Sequence, residues 1–325
     1  LRVIAYKNRI AVEIFHSLTD GNGGMVFLKT LVAEYLEQKY GLQIPCTHGV
    51  LDRQEEPKEE ELEDSFPKYA GPVCASRKAT DAFRLTGTPE RDGFLHLTCL
   101  KLSVPQVLEK AHKYGVSVTE YLCAAMLQAI LRLQADTAPR TKLPAKVQVP
   151  INLRRLFPSK TLRNFAMYTT PEVDPRMGPY TMQELCNIAH HHLGLEATAK
   201  KMAAIIATNV HDEQSLAVRL IPLFLKNIVM KAIFDMVGEK KSCLALSNLG
   251  QVTVPEEMAD HIERVDFILG VQAVAPYNCG VLSFGDTVYL NFTRKIREPE
   301  LEYQFYQVLR DLGIPVTVES NRPVE

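Results

Sequence analysis

Two strand-like runs, CGVLSFG and DTVYLNFTRK, abut at Gly285-Asp286 near the end of the chain. A Gly-Asp pair between two such runs closes a β-hairpin. The chain is therefore expected to build a sheet with at least one antiparallel pair. Other strand-like runs alternate with helical ones: RIAVEIFH (9–16), FLHLTCLKL (94–102), KVQVPINL (146–153), FAMYTTPEV (165–173), SCLALSNLG (242–250) and HIERVDFILG (261–270). Late hairpins together with strand–helix alternation point to α/β layers around a mixed sheet, not to a doubly wound parallel one.

At the front, LRVIAY and RIAVEIFH read as a hairpin turning near Lys7-Asn8. Ile10, Val12 and Ile14 share one face, and His16 continues that face if the strand persists. MVFLKTLVAEYLEQKY has helical spacing and stops at Gly41. Residues 52–64, DRQEEPKEEELED, hold eight acids and two bases and read as a solvated linker. Ser103 with Gln106, and Ser117 with Glu120, stand at capping-box spacing before two helices. A helical pattern over 181–236 is broken near Asn209 and at Pro222, and EPELEYQFYQVLRDLG reads as a terminal helix. The expected division is 1–51, a linker over 52–92, and 93–325.

A length of 325 residues allows two lobes and a sizeable core. The net charge of −1 gives no reason to expect a nucleic-acid partner. Seven cysteines without CxxC spacing read as reduced, mostly buried thiols in a reducing compartment, here the cytoplasm. The most apolar stretch, LIPLFLKNIVMKAIFDMVG, is interrupted by Lys226, Lys231 and Asp235, which argues against a membrane span.

Between the first strand and first helix lies FHSLTDGNGGMVF (15–27). As a calcium loop it fails, because Leu31 occupies the twelfth position where a bidentate Glu belongs. GNGG lacks the GK[ST] or GxGxxG of a phosphate loop. HExxH is absent, and GxSxG is absent. His190, His191 and His192 are consecutive on a helical stretch, so their side chains diverge by about 100° and read as a solvated face. No metal site is expected. Two readings of His16 stay open on the residues alone: an ordinary turn with local hydrogen bonds, or a general base with Asp20 as local organiser.

HSLTDG resembles the HHxxxDG (or HxxxD) motif of the chloramphenicol-acetyltransferase-like superfamily, which includes condensation domains and alcohol acetyltransferases. VPINLRRLFPSKTLRNF (149–165) is similar to the arginine strand end of its plant-type members, through Asn152, Arg154, Pro158 and Asn164. ALSNLG (245–250) looks like their serine-containing strand end. Phe15 stands where the first histidine of the motif would be, Arg163 replaces a glycine, and the DFGWG motif is missing.

The resemblance implies a two-lobed α/β fold with mixed sheets and flanking helices, the first lobe incomplete in this chain. A front segment is expected upstream or as a separate chain. It also implies transfer of an acyl group from acyl-coenzyme A, or from a phosphopantetheine carrier, to a small alcohol or amine. His16 would be the base, with no covalent intermediate and no tightly bound cofactor. Asp20, Gly21, Arg154 and Asn164 would support the motif, with Gly21 taking a backbone angle that a Cβ opposes. Ser247, Asn248, Asn291 and Thr293 are candidates to face the oxyanion or substrate. Alternatives are a condensation-type enzyme acting on carrier-bound substrates, or a catalytically silent scaffold retaining the fold.

Overall fold

The computed structural model describes residues 1–75, 79–214, 222, 227, 239–272 and 275–322. The chain opens with a hairpin of β1 (Arg2–Tyr6) and β2 (Arg9–Glu13), followed by the long helix α1 (Gly21–Tyr40). Lys7 turns the hairpin at φ 53°. Gly41 ends α1 at φ 68°, its N–H returning to the Glu37 carbonyl. A left-handed terminal residue of this kind suits glycine because no Cβ clashes there. The short helix α2 (Glu59–Leu62) lies in the acidic segment.

The remaining described elements are β3 (His96–Ser103), α3 (Val104–Lys113), α4 (Val118–Thr137), β4 (Ala145–Asn152), β5 (Ala166–Thr169), β6 (Glu172–Val173), α5 (Met182–Glu196), α6 (Ala199–Gln214), β7 (Leu244–Gln251), α7 (Glu256–Ala259), β8 (Tyr277–Phe284), β9 (Thr287–Arg294), α8 (Glu300–Asp311) and β10 (Thr317–Ser320). The main sheet runs β10-β3-β9-β8-β7-β4-β5, with β6 also on β4. β4, β7 and β8 are parallel neighbours, and the other pairs are antiparallel. The mixed sheet expected from the sequence is present. Its closing hairpin turns at Gly285, φ 56°.

Strand alternation gives this sheet two different faces. Leu100, Leu102, Val281, Val288, Leu290 and Phe292 join the main core with α3, α4, α5 and α8. α4 is apolar almost all round, and Tyr121 through Leu127 are fully buried, so it is a central helix and not an amphipathic surface one. On the opposite face, Cys99, Leu282 and Tyr289 pack with Met25 of α1, Leu249, Val265 and Phe267. A third cluster, Ala33, Leu36, Ile44, Val50 and Met258, joins α1 to α7. The chain between β7 and β8 thus leaves the sheet, covers α1 and returns.

Several expectations need correction. HIERVDFILG is not a strand. Residues 263–270 pair with no strand among the described residues and lie on the second sheet face through Val265 and Phe267. Their polar groups are satisfied by side chains: Asn278 Nδ2 donates to the Gly270 carbonyl and Thr293 Oγ1 to that of Leu269. The FAMYTTPEV run is split into β5 and β6, because Pro171 interrupts it. Asn209 lies inside α6, and the interruption falls at residues 197–198 instead. The Ser117 capping box forms, whereas Ser103 caps α3 without a side-chain hydrogen bond. β10 was not legible in the sequence.

The triplet on α5 is not uniformly solvated. His190 and His191 are exposed, but His192 is half-buried against Thr169 Oγ1 (2.9 Å), and burial pushes its pKa down. The segment from 52 onward is exposed yet docked. Leu162 N–H donates to the Glu61 carbonyl (2.8 Å), Gly71 N–H to Ala203, and Ser65 bonds Ser159. Five of the seven free cysteines are buried; Cys46 and Cys74 are exposed. Among the described residues no single helix is long and apolar enough to cross a membrane. The apolar run 220–238 and the break expected at Pro222 lie almost wholly outside the described residues.

Candidate active site

The strand expected to carry His16 ends at Glu13, so His16 does not continue the β2 face. A tight turn follows, closed by Leu18 N–H on the Phe15 carbonyl (2.9 Å), and His16 is exposed on it. Helix α1 then starts earlier than its apolar spacing suggests, at Gly21, so the glycines form its first turn. Asp20 is its N-cap. Oδ1 accepts from the N–H groups of Asn22 and Gly23, both at 3.1 Å. An aspartate at this position satisfies amides that have no helical partner and complements the positive end of the helix dipole.

The second carboxylate oxygen faces away from the helix. Oδ2 accepts from Arg154 Nη1 at 2.7 Å and from the Phe165 N–H at 2.8 Å. Both side chains are largely buried, 5% and 11% exposed, and burial of this extent is tolerable only when both charges are fully bonded. Arg154 meets that condition. Nε donates to the Thr161 carbonyl, Nη2 to that of Arg163 (2.6 Å), and Nη1 also to Asn152 Oδ1. Arg155 and Arg163, the neighbouring arginines, are exposed. The carboxylate–guanidinium pair across 134 residues of sequence therefore forms, and it joins the N-cap of α1 to the turn after β4.

Glycine matters here for space and not for backbone angle. Gly21 is helical, with no positive φ, which corrects the reason expected for it. A Cβ there would lie 2.7 Å from Leu249 Cδ2 and 3.3 Å from the Phe267 ring. Gly23 is tighter. Its Cβ would meet Thr19 Oγ1 at 2.1 Å and the Leu162 carbonyl oxygen at 2.3 Å. Neither Gly23 nor Thr19, which donates to that same carbonyl (2.5 Å), stood out in the sequence. The readable signal was Asp20 placed two and three residues before amides that needed a cap.

The contact between Gly21 and Leu249 brings the end of β7 against the first turn of α1. Ser247 and Asn248 immediately precede Leu249. Ser247 is 8% exposed, and its hydroxyl makes no hydrogen bond among the described residues. Asn248 Nδ2 donates to Thr119 Oγ1 at the start of α4, and Oδ1 accepts from the Gly250 N–H. Gly250, φ 79°, marks the bulge where β7 and β8 lose register.

Asn291 and Thr293 sit on the second sheet face but are fully buried. Asn291 Nδ2 is committed to Asp266 Oδ1 and Thr293 Oγ1 to the Leu269 carbonyl. These bonds hold the crossing segment, and Asn291 Oδ1 has no hydrogen-bond partner among the described residues. Asn164 is partly buried beside Phe165, and its Oδ1 has no hydrogen-bond partner among the described residues. Among the described residues no group of His, Cys, Asp and Glu is placed to hold a metal ion.

No family model matches the sequence, and no curated protein is detectably similar to it. Solved structures are similar in fold. The trichothecene 15-O-acetyltransferase TRI3 from Fusarium sporotrichioides superposes with a TM-score of 0.53 at 14% identity, over 90% of this chain and 62% of that one. F. graminearum TRI101, solved with coenzyme A and T-2 mycotoxin, gives a TM-score of 0.53 at 10% identity, over 88% and 61%. The chain has the chloramphenicol-acetyltransferase-like fold. The chain spans less than two thirds of the length of either neighbour. The first turn of α1 lies against Leu249 at the end of β7, while the candidates on β9 lie under the 263–270 crossing.

Proposed function

We propose that the protein is an acyltransferase that uses His16 as general base. The observation that carries this reading is the buried Asp20–Arg154 pair. It leaves His16 exposed while fixing both the residue four positions on and the helix that follows. Imidazole is the side chain that can take and return a proton near neutral pH. In the proposed reaction His16 accepts the proton of an alcohol or amine as it attacks a thioester carbonyl. The resulting imidazolium then protonates the departing thiolate. The acyl donor is proposed to be acyl-coenzyme A, with a carrier-bound phosphopantetheine offering the same thioester. Ser247 and Asn248 are the candidates proposed to donate to the tetrahedral oxyanion, Asn248 through the second N–H of the amide that bonds Thr119. The supporting roles proposed for Asp20, Gly21 and Arg154 are to hold the turn.

The front of the molecule supports a further part of the reading. Every residue of β1 is exposed, and Leu1, Tyr6, Phe15 and Leu18 are each more than half exposed. A two-stranded hairpin is marginal alone in water. We propose that further polypeptide, upstream or on another chain, covers this apolar face and completes the lobe of residues 1–51. Residues 52–92 are proposed as the connection to a lobe of 93–325.

The test offers acetyl-coenzyme A with a panel of alcohols and amines to the full protein and follows free-thiol release. His16→Ala should lower the rate by roughly 10²–10⁴-fold, with an unchanged unfolding midpoint because the side chain is exposed. Equal release by both proteins would remove His16 as the base.

A further inference from the structure

The exposed acidic segment and the candidate active site meet in a single turn, residues 159–165. Thr161 is its centre and is 1% exposed. Its hydroxyl donates to the Glu63 carbonyl (2.6 Å), with a longer contact to that of Glu61 (3.4 Å), and accepts from the Arg163 N–H. Its carbonyl accepts from Arg154 Nε at 2.9 Å. The next residue repeats the pattern. Leu162 N–H is held by the Glu61 carbonyl, and the Leu162 carbonyl holds Thr19 Oγ1. Phe165 N–H ends the turn on Asp20 Oδ2. On the outside, Ser65 bonds Ser159, and Tyr69 Oη donates to the Pro158 carbonyl. Phe66 and Tyr69 pack their rings against Phe165, and Tyr69 stacks on Phe157.

The bonds of Thr161, Thr19 and Phe165 in this series are buried or part-buried, so solvent replaces them poorly when they are lost. The Thr161 and Leu162 carbonyls, which grip Arg154 Nε and Thr19, belong to residues whose own hydroxyl or N–H is gripped by the 61–63 backbone. The Thr161 hydroxyl in turn holds Arg163, whose carbonyl takes Arg154 Nη2. We propose that Thr161 is a positioning residue through which the strap of residues 58–69 sets the geometry of the His16 turn. The strap acts as a brace, its backbone carbonyls holding the 161–163 turn and that turn holding Arg154, Thr19 and Asp20. This proposal rests on the reading of His16 as the base, but its decisive measurement does not.

Amide hydrogen exchange on the full protein supplies that measurement. In the unaltered protein the amides of Leu162, Arg163, Phe165, Asn22 and Gly23 should open as one cooperative unit. Thr161→Val keeps the shape and removes the hydroxyl. Exchange at Asn22, Gly23 and Phe165 should then rise about tenfold, within the range for one unmade buried hydrogen bond. Thr161→Ser should restore protection. Thiol release by Thr161→Val should fall by a similar factor in kcat with KM unchanged, and recover in Thr161→Ser. Faster exchange confined to residues 58–66, or no change at Asn22 and Gly23, overturns the proposal. So does a finding that the five amides of the unaltered protein open separately, a result that needs no variant. If the protein releases no thiol from any donor, the functional reading falls while the exchange result still decides the brace.

Discussion

Replacing Asp20 tests the clamp most directly, because its two carboxylate oxygens do separate jobs. In Asp20→Ala, Oδ2 is lost from Arg154 and Phe165, and Oδ1 from the Asn22 and Gly23 amides. Breaking a buried ion pair by removing one partner costs roughly 3–5 kcal/mol. The lower half of that range applies here, since Arg154 keeps the Thr161 and Arg163 carbonyls and Asn152 Oδ1. Loss of the helix cap adds about 1 kcal/mol. The expected total is about 4 kcal/mol, a large share of the roughly 5–15 kcal/mol that holds a domain folded. Asp20→Asn separates the two jobs. Its carbonyl oxygen can still cap α1, but its NH₂ would face the donors of Arg154 and Phe165, so it should lose about 3 kcal/mol. Urea titration followed by far-ultraviolet circular dichroism gives the midpoints. A double-mutant cycle of Asp20→Ala with Arg154→Met gives the coupling. A loss below about 1 kcal/mol in Asp20→Ala, or a coupling near zero, would show that the pair does not hold the turn.

Three further outcomes follow from the structure. Gly23→Ala should destabilise by several times more than Gly21→Ala, because its Cβ meets a backbone carbonyl while that of Gly21 meets a movable leucine side chain; urea midpoints for the two variants compare them directly. An aromatic disulfide reagent at pH 8 should titrate Cys46 and Cys74 quickly and the other five thiols only on unfolding. Burial raises the Cys99 thiol to about 11 and those of Cys186 and Cys243 to about 12; rapid reaction of more than two thiols would contradict this. Glu319 accepts from Lys101 and Arg264, and these bonds hold its carboxyl below the ordinary carboxylate range. Its contribution to stability is therefore complete above that range and lost as pH falls through the folded-state value. Glu319→Gln should flatten the stability profile between about pH 5 and 3, and an unchanged slope would refute the assignment.

Residues close in sequence were legible because their physics is local. The β8–β9 hairpin follows from Gly285-Asp286, the end of α1 from Gly41, and the start of α4 from Ser117 and Glu120. Asp20 and Arg154 were paired through a resemblance. Spacing within the sequence gave no means of joining two residues 134 positions apart. Helix α1 was placed too late because glycines are poor helix formers, yet here close packing on Leu162 and Leu249 requires them. HIERVDFILG has the composition of a strand, but its Val265 and Phe267 pack on the second sheet face and residues 263–270 carry no strand pairing. It therefore crosses the sheet and buries Asn291 and Thr293 instead of leaving them free.

By itself the sequence determined the alternation of strands and helices, the mixed character of the sheet and the local caps, since periodicity and turn chemistry act over a few residues. Only the tertiary structure decided which arginine closes on Asp20, which polar side chains keep a free donor, and that the acidic strap braces the turn beside His16. Those outcomes depend on burial, and burial is a property of surfaces brought together from distant parts of the chain.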